Sequence, residues 1–366
     1  MGQSPNGTNY TENPNDYILV QGNADMKNGQ VVPRVWTKQI TKTAAIGDII
    51  LSVRAPVGDV GKTNYNVVLG RGVAGIKGDE FIYQVLFKMR LENYWAKYST
   101  GSTFESINSN DLKEAKMFVP KELEKKEIGI FFKQLDNTIA LHQRKLDSLK
   151  LMKKGFLQQM FPGKGEKVPR LRFADFPDEW EQCIVSDFTD KTYGGGTPKT
   201  NIPEYWTGEI PWIQSSDLIK DDFFNVAPKK HITEDAIRNS STKLVPSNSI
   251  TVVTRVGVGK LAFMPFEYAT SQDFLSLSNL KVSLIFGVYS LYNMLQKELN
   301  NIQGTSIKGI TKSDLLEKSI TIPVEVEEQK KIGFLFKQLD DIILFHKNKL
   351  NQFQALKKAY LQNMFI

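Results

Sequence analysis

Two glycine-containing stretches have the residue types of a nucleotide site, and the first is residues 57–63 (VGDVGKT). In a phosphate-binding loop, Gly-x-x-x-x-Gly-Lys-Ser/Thr, the backbone amides and the lysine surround the phosphates. That motif needs glycine where Pro56 stands, and proline removes the backbone freedom that the loop requires. The second stretch, residues 257–259 (GVG), follows a predicted strand and indicates a tight hairpin. The sequence therefore does not predict a nucleotide site.

Other catalytic and metal-binding patterns are incomplete. Residues 201–205 (NIPEY) are a broken form of the Asn-Pro-Pro-aromatic motif that positions an adenine amino group for methyl transfer, and no second methyltransferase element accompanies them. The sequence has no His-Glu-x-x-His zinc helix and no Gly-x-Ser-x-Gly elbow. Cys183 is the single cysteine, and His142, His231 and His346 are scattered. We therefore predict a non-catalytic chain without a metal or cofactor of its own.

The side chains that remain are suited to reading DNA. Gln and Asn can hold adenine, Arg can hold guanine, and Lys and hydroxyl groups can hold phosphates. The candidates in the first half of the chain are Gln3, Ser4, Gln21, Asn23, Arg54, Lys62, Arg71 and Thr103. Those in the second half are Thr197, Lys199, Gln214, Ser215, Arg255, Lys260, Gln272, Thr305 and Lys308. Each has a structural alternative, because glutamines can satisfy strand ends and arginines can pair with carboxylates.

The charge balance gives mild support to a polyanionic partner. The 366 residues include 47 Lys plus Arg against 40 Asp plus Glu, a net charge of +7, although many enzymes are equally basic. No stretch approaches 18 consecutive apolar residues, and the N-terminus has neither a basic start nor a hydrophobic run. We expect a soluble, cytoplasmic chain of two or three domains.

An internal duplication places the candidate residues on matching elements. Residues 128–161 match residues 332–365 without a gap, with about half of the positions identical. Upstream, GSTFESINSNDL parallels GTSIKGITKSDL, and each leads to a short apolar strand that ends at Pro120 or Pro323. Residues 2–5 (GQSP) weakly echo residues 195–198 (GGTP). Arg54 then pairs by position with Arg255, and Gln21 with Gln214, so the chain is predicted to be a tandem of two units.

The two matching segments have the heptad pattern of coiled-coil helices. The predicted seam is Leu135, Ile139, His142, Leu146 and Leu149, continued by Lys153, Phe156 and Met160, and in the second copy Leu339, Ile343, His346, Leu350 and Phe353, continued by Lys357, Tyr360 and Met364. We expect the two helices to pair antiparallel as a rod of about 50 Å with a globular part at either end. The alternative is that each helix packs on its own domain.

Polar residues in the seam have predicted roles as well. His142 and His346 occupy the same position of the two copies, so we expect them to meet as a pair that fixes the register, in preference to a metal or proton-transfer role. We expect the ammonium groups of Lys153 and Lys357 to extend out of the seam to water.

The fold class that follows is α+β, with two β-rich domains separated by two long antiparallel coiled-coil helices in a pseudo-two-fold repeat. The predicted domains are 1–120, a helical spacer 121–162, a second domain 163–323 and a helical spacer 324–366. Strands are predicted at residues 48–53 and 249–254, helices at 80–97 and 288–299, and an irregular basic linker at 164–178.

The second unit has a lead-in, residues 171–193, before its opening segment, and the first unit begins at the equivalent of that opening. About twenty residues of the first unit are therefore expected to be lacking, and its domain is expected to be the less stable of the two.

The arrangement resembles the specificity subunit of a Type I restriction–modification system over essentially the whole chain. The resemblance depends on the twin helices FFKQLDNTIALHQRKL and FLFKQLDDIILFHKNKL with their LKKGFLQQMF and LKKAYLQNMF ends. The segments GQSPNG, GGGTPKTNIPEYW, FPDEWEQ and IPWIQSSDL add to it.

This resemblance implies two target-recognition domains that each read half of a bipartite, asymmetric site on double-stranded DNA, with the helices as a ruler. It also implies partners: two modification subunits, which bind S-adenosylmethionine and methylate adenine, and restriction subunits, which use ATP and Mg. By resemblance the helices provide docking surface for the modification subunits. Two alternatives stay open: a tandem-module interaction protein on a coiled-coil spacer, and the recognition chain of a Type II-like methylase–nuclease.

Overall fold

A computed structural model of the chain describes residues 1–98, 106–163, 165–301 and 309–365. The chain forms two compact units. Unit 1 consists of Met1–Lys145 and His346–Ile366, and unit 2 consists of Leu146–Phe345. Each unit therefore contains one globular part and a portion of each of two long helices.

The helices in chain order are α1 Glu80–Leu91, α2 Ser109–Lys113, α3 Glu122–Gln159, α4 Glu234–Arg238, α5 Leu284–Asn301, α6 Lys312–Leu316 and α7 Val326–Met364. Short 3-10 helices lie at Gly7–Asn9, Asn23–Asp25, Tyr94–Tyr98, Val185–Phe188, Pro203–Trp206 and Ser215–Asp217. The helix predicted for residues 80–97 ends early, because Asn93 adopts a positive φ of 55° that stops an α-helix.

The strands of unit 1 form two five-stranded sheets, in the orders β1-β5-β2-β9-β6 and β10-β7-β8-β4-β3. Their bounds are β1 Tyr10–Thr11, β2 Tyr17–Val20, β3 Met26–Lys27, β4 Gln30–Val31, β5 Trp36–Thr37, β6 Lys42–Ala44, β7 Ile49–Ser52, β8 Val60–Lys62, β9 Val67–Leu69 and β10 Val73–Ile76. Strand β7 is buried along its whole length, as its β-branched residues predict.

The strands of unit 2 form sheets in the orders β12-β18-β15-β16, β14-β13-β17 and β11-β19. Their bounds are β11 Glu181–Ile184, β12 Thr189–Gly194, β13 Ile210–Ile213, β14 Lys230–Ile232, β15 Ser249–Val253, β16 Leu261–Met264, β17 Ala269–Thr270, β18 Phe274–Leu280 and β19 Ser319–Ile322. Strands β15 and β16 pair antiparallel on either side of residues 257–259, so the hairpin is confirmed, but its connection, residues 254–260, is longer than the tight turn that was predicted.

The predicted apolar strand before Pro323 is β19, but the corresponding prediction for unit 1 is wrong. Residues 116–119 form no strand in the described part of unit 1, and Phe118 is 85% exposed. In unit 2 the strand exists because β11, from the lead-in, pairs with it from Glu181↔Ile322 to Ile184↔Ser319. Among the described residues of unit 1 no strand pairs with residues 116–119, and a strand without a partner leaves its backbone groups unpaired.

The α+β class and the antiparallel helix pair are confirmed within each unit. In unit 1 the ring centroids of Phe131 and Tyr360 lie 5.1 Å apart, and the Nδ1 atoms of His142 and His346 lie 3.0 Å apart. Residue numbers thus rise along one helix as they fall along the other. The long helices also pack on the globular parts. Both arrangements considered from the sequence, pairing of the helices with each other and packing of a helix on a domain, therefore occur together.

The packing of the helices on the globular parts is repeated in the two units. In unit 1, Phe365, just beyond α7, packs on Phe81 with centroids 5.1 Å apart, and in unit 2 Phe161, just beyond α3, packs on Phe286 at 5.9 Å. Each globular core is therefore completed by the C-terminal end of a long helix.

The buried residues follow the predicted seam along most of each long helix, but near the C-terminal ends the buried position shifts by one residue. Among the seam residues, those that are fully buried are Leu135, Leu146, Leu149, Leu339 and Leu350, and those that are half-buried are Ile139, His142, Ile343, His346 and Phe353. Near the C-terminal ends, Leu157 and Leu361 are buried in place of the predicted Phe156 and Tyr360. The predicted Met160 is buried at 3% exposure, whereas Met364 is 38% exposed. The phase changes because the ends of the helices face a globular core instead of a single helix.

The prediction that the seam lysines extend to water is wrong. Lys357 is 6% exposed, and its Nζ lies 2.6 Å from Oδ1 of Asp136. Lys153 repeats this in unit 2, with its Nζ 2.5 Å from Oδ1 of Asp340. A buried ammonium group is stable only when it is paired, and each aspartate provides that charge from the opposite helix. Burial lowers the pKa of Lys357 and raises the pKa of Asp340.

The predicted histidine pair meets in the seam of unit 1. The ring of His142 also packs against Phe353, with centroids 5.4 Å apart. Partial burial, the His142 ring and the Lys145 ammonium lower the pKa of His346 below its ordinary value. A hydrogen bond between the two Nδ1 atoms requires one of them to carry a hydrogen and the other to accept it.

Candidate nucleic-acid interface

The candidate site of unit 1 is built around a tight turn at Gly70, Arg71 and Gly72, which we term its central turn. The Gly70 amide donates to the carbonyl of Val20 at 2.8 Å, which brings the turn against the end of β2. A Cβ atom at Gly72 would overlap the carbonyl oxygen of Gln21, so only glycine permits this approach. Arg71, at the apex, is exposed.

The N-terminal residues Gln3 and Ser4 lie along the same turn. The Gln3 amide donates to the carbonyl of Leu69 at 2.8 Å, and the Arg71 amide donates to Oγ of Ser4 at 3.1 Å. Gln3 is exposed and Ser4 is partly exposed. The fold therefore brings together four predicted residues from three separate segments: Gln3, Ser4, Gln21 and Arg71.

A buried carboxylate that the sequence analysis did not single out holds the loop that contains Gln21. Asp25 is 3% exposed; its Oδ2 accepts from the Gln21 amide at 2.7 Å and its Oδ1 accepts from Nε of Arg34 at 3.1 Å. Asn23 begins the 3-10 helix that ends at Asp25. Because the carboxylate satisfies the backbone, the side chains of Gln21 and Asn23 are not needed for that purpose.

Unit 2 repeats this construction around a central turn at Ser271, Gln272 and Asp273. The Ser271 amide donates to the carbonyl of Ile213 at 3.0 Å, which brings the turn to the end of β13 and next to Gln214. Oγ1 of Thr197 lies 3.3 Å from Oε1 of Gln272, so Thr197 and Gln272 correspond in place to Ser4 and Arg71. Both are exposed.

The loop of Gln214 is also held by a buried aspartate. The Gln214 amide donates to Oδ2 of Asp217 at 2.9 Å, as the Gln21 amide donates to Asp25 in unit 1. Oδ1 of Asp217 is buried without a hydrogen bond from any described residue, and Nζ of Lys229 lies 3.9 Å away. The Gln-x-x-Asp spacing of a capping box indicates in sequence that Asp217 can accept from the Gln214 amide, but it does not indicate that the carboxylate is buried.

The paired arginines follow matching strands next to the central turns. The last carbonyl of the central turn accepts an amide hydrogen bond from Val53 at 2.9 Å in unit 1 and from Thr254 at 2.7 Å in unit 2. Arg54 and Arg255 come directly after these residues, and both are exposed. The predicted residues Thr103, Thr305 and Lys308 lie outside the described residues.

Not every predicted cation is available at its surface. Nζ of Lys62 lies 2.5 Å from Oε2 of Glu80, and Nζ of Lys260 donates to the carbonyl of Ser215 at 2.9 Å. Both ammonium groups are thus bound within their own unit. Lys199, in contrast, is exposed.

Lys312 is a cation of unit 2 that sequence reasoning missed. A Cβ atom at Gly194 would overlap its Nζ, which places the ammonium group beside the end of β12. Partial burial and the nearby charge of Arg255 lower the pKa of Lys312. Its counterpart in the first copy is Ser109, in the segment NSNDL, so a comparison of the two copies does not indicate a cation at this position.

The two surfaces carry groups that are suited to recognising another molecule. Each central turn presents an exposed amide or guanidinium group beside a hydroxyl group and an arginine, on a backbone whose hydrogen bonds are already satisfied. Such groups can contact base edges and phosphates without rearranging the fold. The described residues contain no cluster of three or more potential metal ligands. Burial raises the pKa of the Cys183 thiol to about 11, so it is protonated at neutral pH.

A scaffold that is built twice and presents different side chains at matching positions is the architecture of a tandem recognition protein. The model of the family described as the Type I restriction modification DNA specificity domain matches residues 1–151 and 177–355. The chain therefore belongs to this family. Within the described residues, no helix is both long enough and apolar enough to cross a membrane.

Curated relatives match part of the chain. It is 30% identical over 197 residues to the Type I restriction enzyme MjaIX specificity subunit of Methanocaldococcus jannaschii, covering 52% of this chain and 44% of the relative. It is 29% identical over 160 residues to the EcoR124I/EcoR124II specificity subunit of Escherichia coli, covering 42% of this chain and 39% of the relative. The matched stretch thus spans less than half of each relative.

Solved structures show the same fold over almost the whole chain. The S subunit of a Type I restriction–modification system from M. genitalium has a TM-score of 0.67 at 13% identity, covering 100% of this chain and 92% of that one. A chain from a structure on complex assembly and conformational transition of the type I R-M system has a TM-score of 0.55 at 16% identity, covering 95% and 91%.

Proposed function

We propose that the chain is the non-catalytic DNA-specificity subunit of a Type I restriction–modification complex, and that each unit reads one half of a bipartite, asymmetric site. The observation that carries this proposal is the central turn, which recurs with the same backbone hydrogen bonds and with different exposed side chains. Where unit 1 has Ser4 and Arg71, unit 2 has Thr197 and Gln272.

The difference between the turns supports two different half-sites. A guanidinium group such as that of Arg71 pairs with O6 and N7 of guanine, whereas an amide such as that of Gln272 pairs with N6 and N7 of adenine. The exposed Arg54 and Arg255 are suited to phosphates or guanine at both half-sites. The DNA site read by one unit is therefore expected to differ in sequence from that read by the other.

The long helices are suited to the role of a spacer. With 38 residues in α3, a straight helix is about 57 Å long, more than the roughly 34 Å of one duplex turn. We propose that this length fixes the number of unread base pairs between the half-sites.

Exposed apolar side chains on the helices support docking of the modification subunits. Ile130 (47% exposed) and Leu141 (58%) are eleven residues apart on α3, which is about three helical turns, so they share a face. Phe334 (61%) and Phe345 (55%) repeat this spacing on α7. Large exposed apolar residues in duplicated positions favour two copies of one partner.

The chemistry of the complex would then belong to the partners. We propose that the modification subunits bind S-adenosylmethionine and methylate adenine, and that restriction subunits use ATP and Mg. The subunit described here would act in the cytoplasm, where it would meet double-stranded DNA.

Docking predicts a specific loss of assembly. Phe334→Ser removes a large exposed apolar side chain of α7, so we expect capture of the co-expressed modification subunit to fall at least about tenfold. Ile46→Ser, at a 66% exposed position outside the long helices, is the control and should leave capture unchanged. Equal capture by both variants would mean that the long helices are not the docking surface.

The function itself is tested by selection from random duplex DNA with the chain assembled on its modification subunits. One bipartite motif with a fixed spacer should be enriched, and the affinity should fall steeply as salt rises, because phosphate contacts release counterions. Enrichment of no motif, or binding that is insensitive to salt, would contradict the proposal.

A further inference from the structure

The hairpin of β15 and β16 in unit 2 has an exposed apolar residue at its tip, close to the central turn. Thr254 is buried, Arg255 is exposed, and Val256 is 71% exposed. The Thr254 amide donates to the carbonyl of Asp273, the last residue of the central turn, at 2.7 Å. Val256 comes two residues after Thr254, a span of at most about 7 Å. A branched apolar residue is therefore held near the central turn and in contact with solvent.

The hairpin is anchored to two other elements of unit 2. Nζ of Lys260 donates to the carbonyl of Ser215 at 2.9 Å, which joins the hairpin to the 3-10 helix that follows Gln214. Gly259 adopts a φ of 93°, and a Cβ atom there would overlap Cδ1 of Leu299 on α5. Only glycine permits both this conformation and this contact. The position of the tip is therefore set by the fold of the unit.

Unit 1 repeats this tip with a smaller apolar residue. Gly58 corresponds to Gly259 in the register of the two hairpins; its φ is 91°, and a Cβ atom there would overlap Cδ1 of Trp95. The tips have equal length, residues 54–57 (RAPV) in unit 1 and residues 255–258 (RVGV) in unit 2. The residue after the arginine is alanine in unit 1 and valine in unit 2, and both are exposed. The backbone of the tip is thus kept while this exposed side chain differs.

The major groove of DNA offers one alkyl group to such a side chain. The inference rests on the proposed function, in which Gln272 contacts the N6 and N7 atoms of adenine in that groove. Because the hairpin is hydrogen-bonded to the central turn, its tip would enter the same groove as Gln272. The base edges there carry hydrogen-bonding groups, and thymine alone adds a methyl group, at C5. Contact between Val256 and this methyl group would remove apolar surface of both from water.

We propose that Val256 is a specificity-determining residue that contacts the C5 methyl group of a thymine in the half-site read by unit 2. The contact distinguishes thymine from cytosine, which has only a hydrogen atom at C5. It adds a base that is read by apolar contact to the base that Gln272 reads by hydrogen bonds. Ala55, at the matching place of unit 1, has a shorter side chain, so the two units differ in this contact as they differ at the central turn.

Replacement of thymine by uracil tests the contact, because uracil keeps the hydrogen-bonding groups of thymine and lacks only the methyl group. The chain is assembled on its modification subunits, and the DNA carries the motif that this complex enriches, with each thymine replaced in turn. At one thymine of the half-site that Gln272→Ala relaxes, the affinity of the wild-type complex should fall about fourfold, the effect of one buried methyl group. In Val256→Ser the same replacement should change the affinity by less than about twofold.

Two controls keep the test independent of folding and of surface composition. Val256→Ser changes an exposed side chain, so the melting temperature of the chain should stay within about 2 °C of the wild-type value. Val168→Ser is the matched control, because Val168 is a 46% exposed valine of unit 2 that lies in the linker. It should bind the motif like the wild type and keep the full response to uracil.

Three results would overturn the proposal and leave the proposed function standing, because the complex would still enrich a bipartite motif. The half-site of unit 2 could contain no thymine, or no replacement by uracil could weaken wild-type binding. Val256→Ser could also weaken binding to the thymine and uracil forms equally, which would mean that the side chain does not act through the methyl group. Enrichment of no motif at all would contradict the proposed function and this contact together.

Discussion

At the scale of single residues, the two units share an unusual buried contact between the long helices. Asp136 accepts from Lys357 and from Nε2 of Gln84 at 2.7 Å. Asp340 repeats this with Lys153 and with the hydroxyl group of Tyr289 at 2.6 Å. Each carboxylate therefore joins the opposite long helix to a helix of the globular part. Such a contact stabilises one register of the helix pair over others.

Removing the aspartate of this buried ion pair should lower the free energy of unfolding. In Asp136→Ala the ammonium group of Lys357 is left buried without a counter-charge, so the free energy of unfolding should fall by about 3–5 kcal/mol. Chemical denaturation of the full chain measures this loss. The control is Asp341→Ala, which removes a pair with Lys337 whose carboxylate is 58% exposed, and about 1 kcal/mol or less is expected there. Equal losses in the two variants would contradict the buried role.

The histidine pair predicts a dependence of stability on pH. A lowered pKa of His346 means that the folded chain binds this proton less readily than the unfolded chain. Stability from this residue is therefore complete above the ordinary pKa of about 6.5 and is lost as the pH falls through the folded-state pKa.

Denaturation midpoints at pH 8 and pH 5 test this dependence. The wild-type chain should lose more stability than His346→Gln over this interval, and His231→Gln should behave like the wild type. An equal loss of stability between pH 8 and pH 5 in the wild-type chain and in His346→Gln would contradict this role of His346.

The sequence allowed some of these residue-scale features to be predicted and concealed others. The meeting of His142 with His346 was predictable, because two equal seam positions of a duplicated antiparallel pair must oppose each other. The burial of Lys153 and Lys357 was not, because their partners Asp340 and Asp136 lie outside the predicted seam, where a charged residue is ordinarily solvated. Only the pairing geometry of the helices shows that the charges meet.

At the scale of elements, the long helices combine a buried seam with exposed apolar residues, on which we propose that the modification subunits dock. The seam leucines are buried, whereas neighbouring apolar residues of the same helix are exposed, such as Leu151 at 71%. Heptad periodicity located α3 and α7 well but misplaced the buried residue near each end by one position. Periodicity describes contact with one helix, and it cannot anticipate where a helix begins to contact a sheet domain.

A matched pair of substitutions on α3 tests the seam. Leu149 is 7% exposed and Leu151 is 71% exposed, only two residues further along. Leu149→Glu buries an unpaired carboxylate, so it should lower the free energy of unfolding by about 3 kcal/mol or more, while Leu151→Glu should change it by less than about 0.5 kcal/mol. Thermal and chemical denaturation of the isolated chain provide the measurement. Similar stabilities of the two variants would mean that the seam does not hold α3.

The exposed residues of the candidate surfaces were predictable from the sequence, but the buried contacts that hold them in place were not. Arg54 and Arg255, and Gln21 and Gln214, were matched by position alone, and the fold brings Gln21 and Arg71 to one turn. The carboxylates of Asp25 and Asp217 that hold the loops were missed, because a buried aspartate in a loop resembles a solvent-exposed one in sequence. The internal partners of Lys62 and Lys260 were also invisible until the strands and helices were paired.

At the scale of the whole molecule, the chain is a duplication whose two copies have diverged. The framework of turns, helix ends and buried ion pairs is repeated, and the exposed side chains at the central turns differ. A framework that is kept while its exposed residues change is suited to reading two different sequences with one architecture. Arg71 and Gln272 are the clearest case, because they occupy equivalent turns and prefer different bases.

The most direct test is the methylation motif of cells in which the chain is replaced by Arg71→Ala or by Gln272→Ala. Each variant serves as the control for the other. We predict that Arg71→Ala relaxes one half of the bipartite motif, that Gln272→Ala relaxes the other half, and that the spacer keeps its length in both. Loss of about 1–3 kcal/mol of discrimination at the affected base corresponds to a degenerate position in the methylated sequences. If both substitutions altered the same half, or if neither altered the motif, the assignment of one reading surface to each unit would be contradicted.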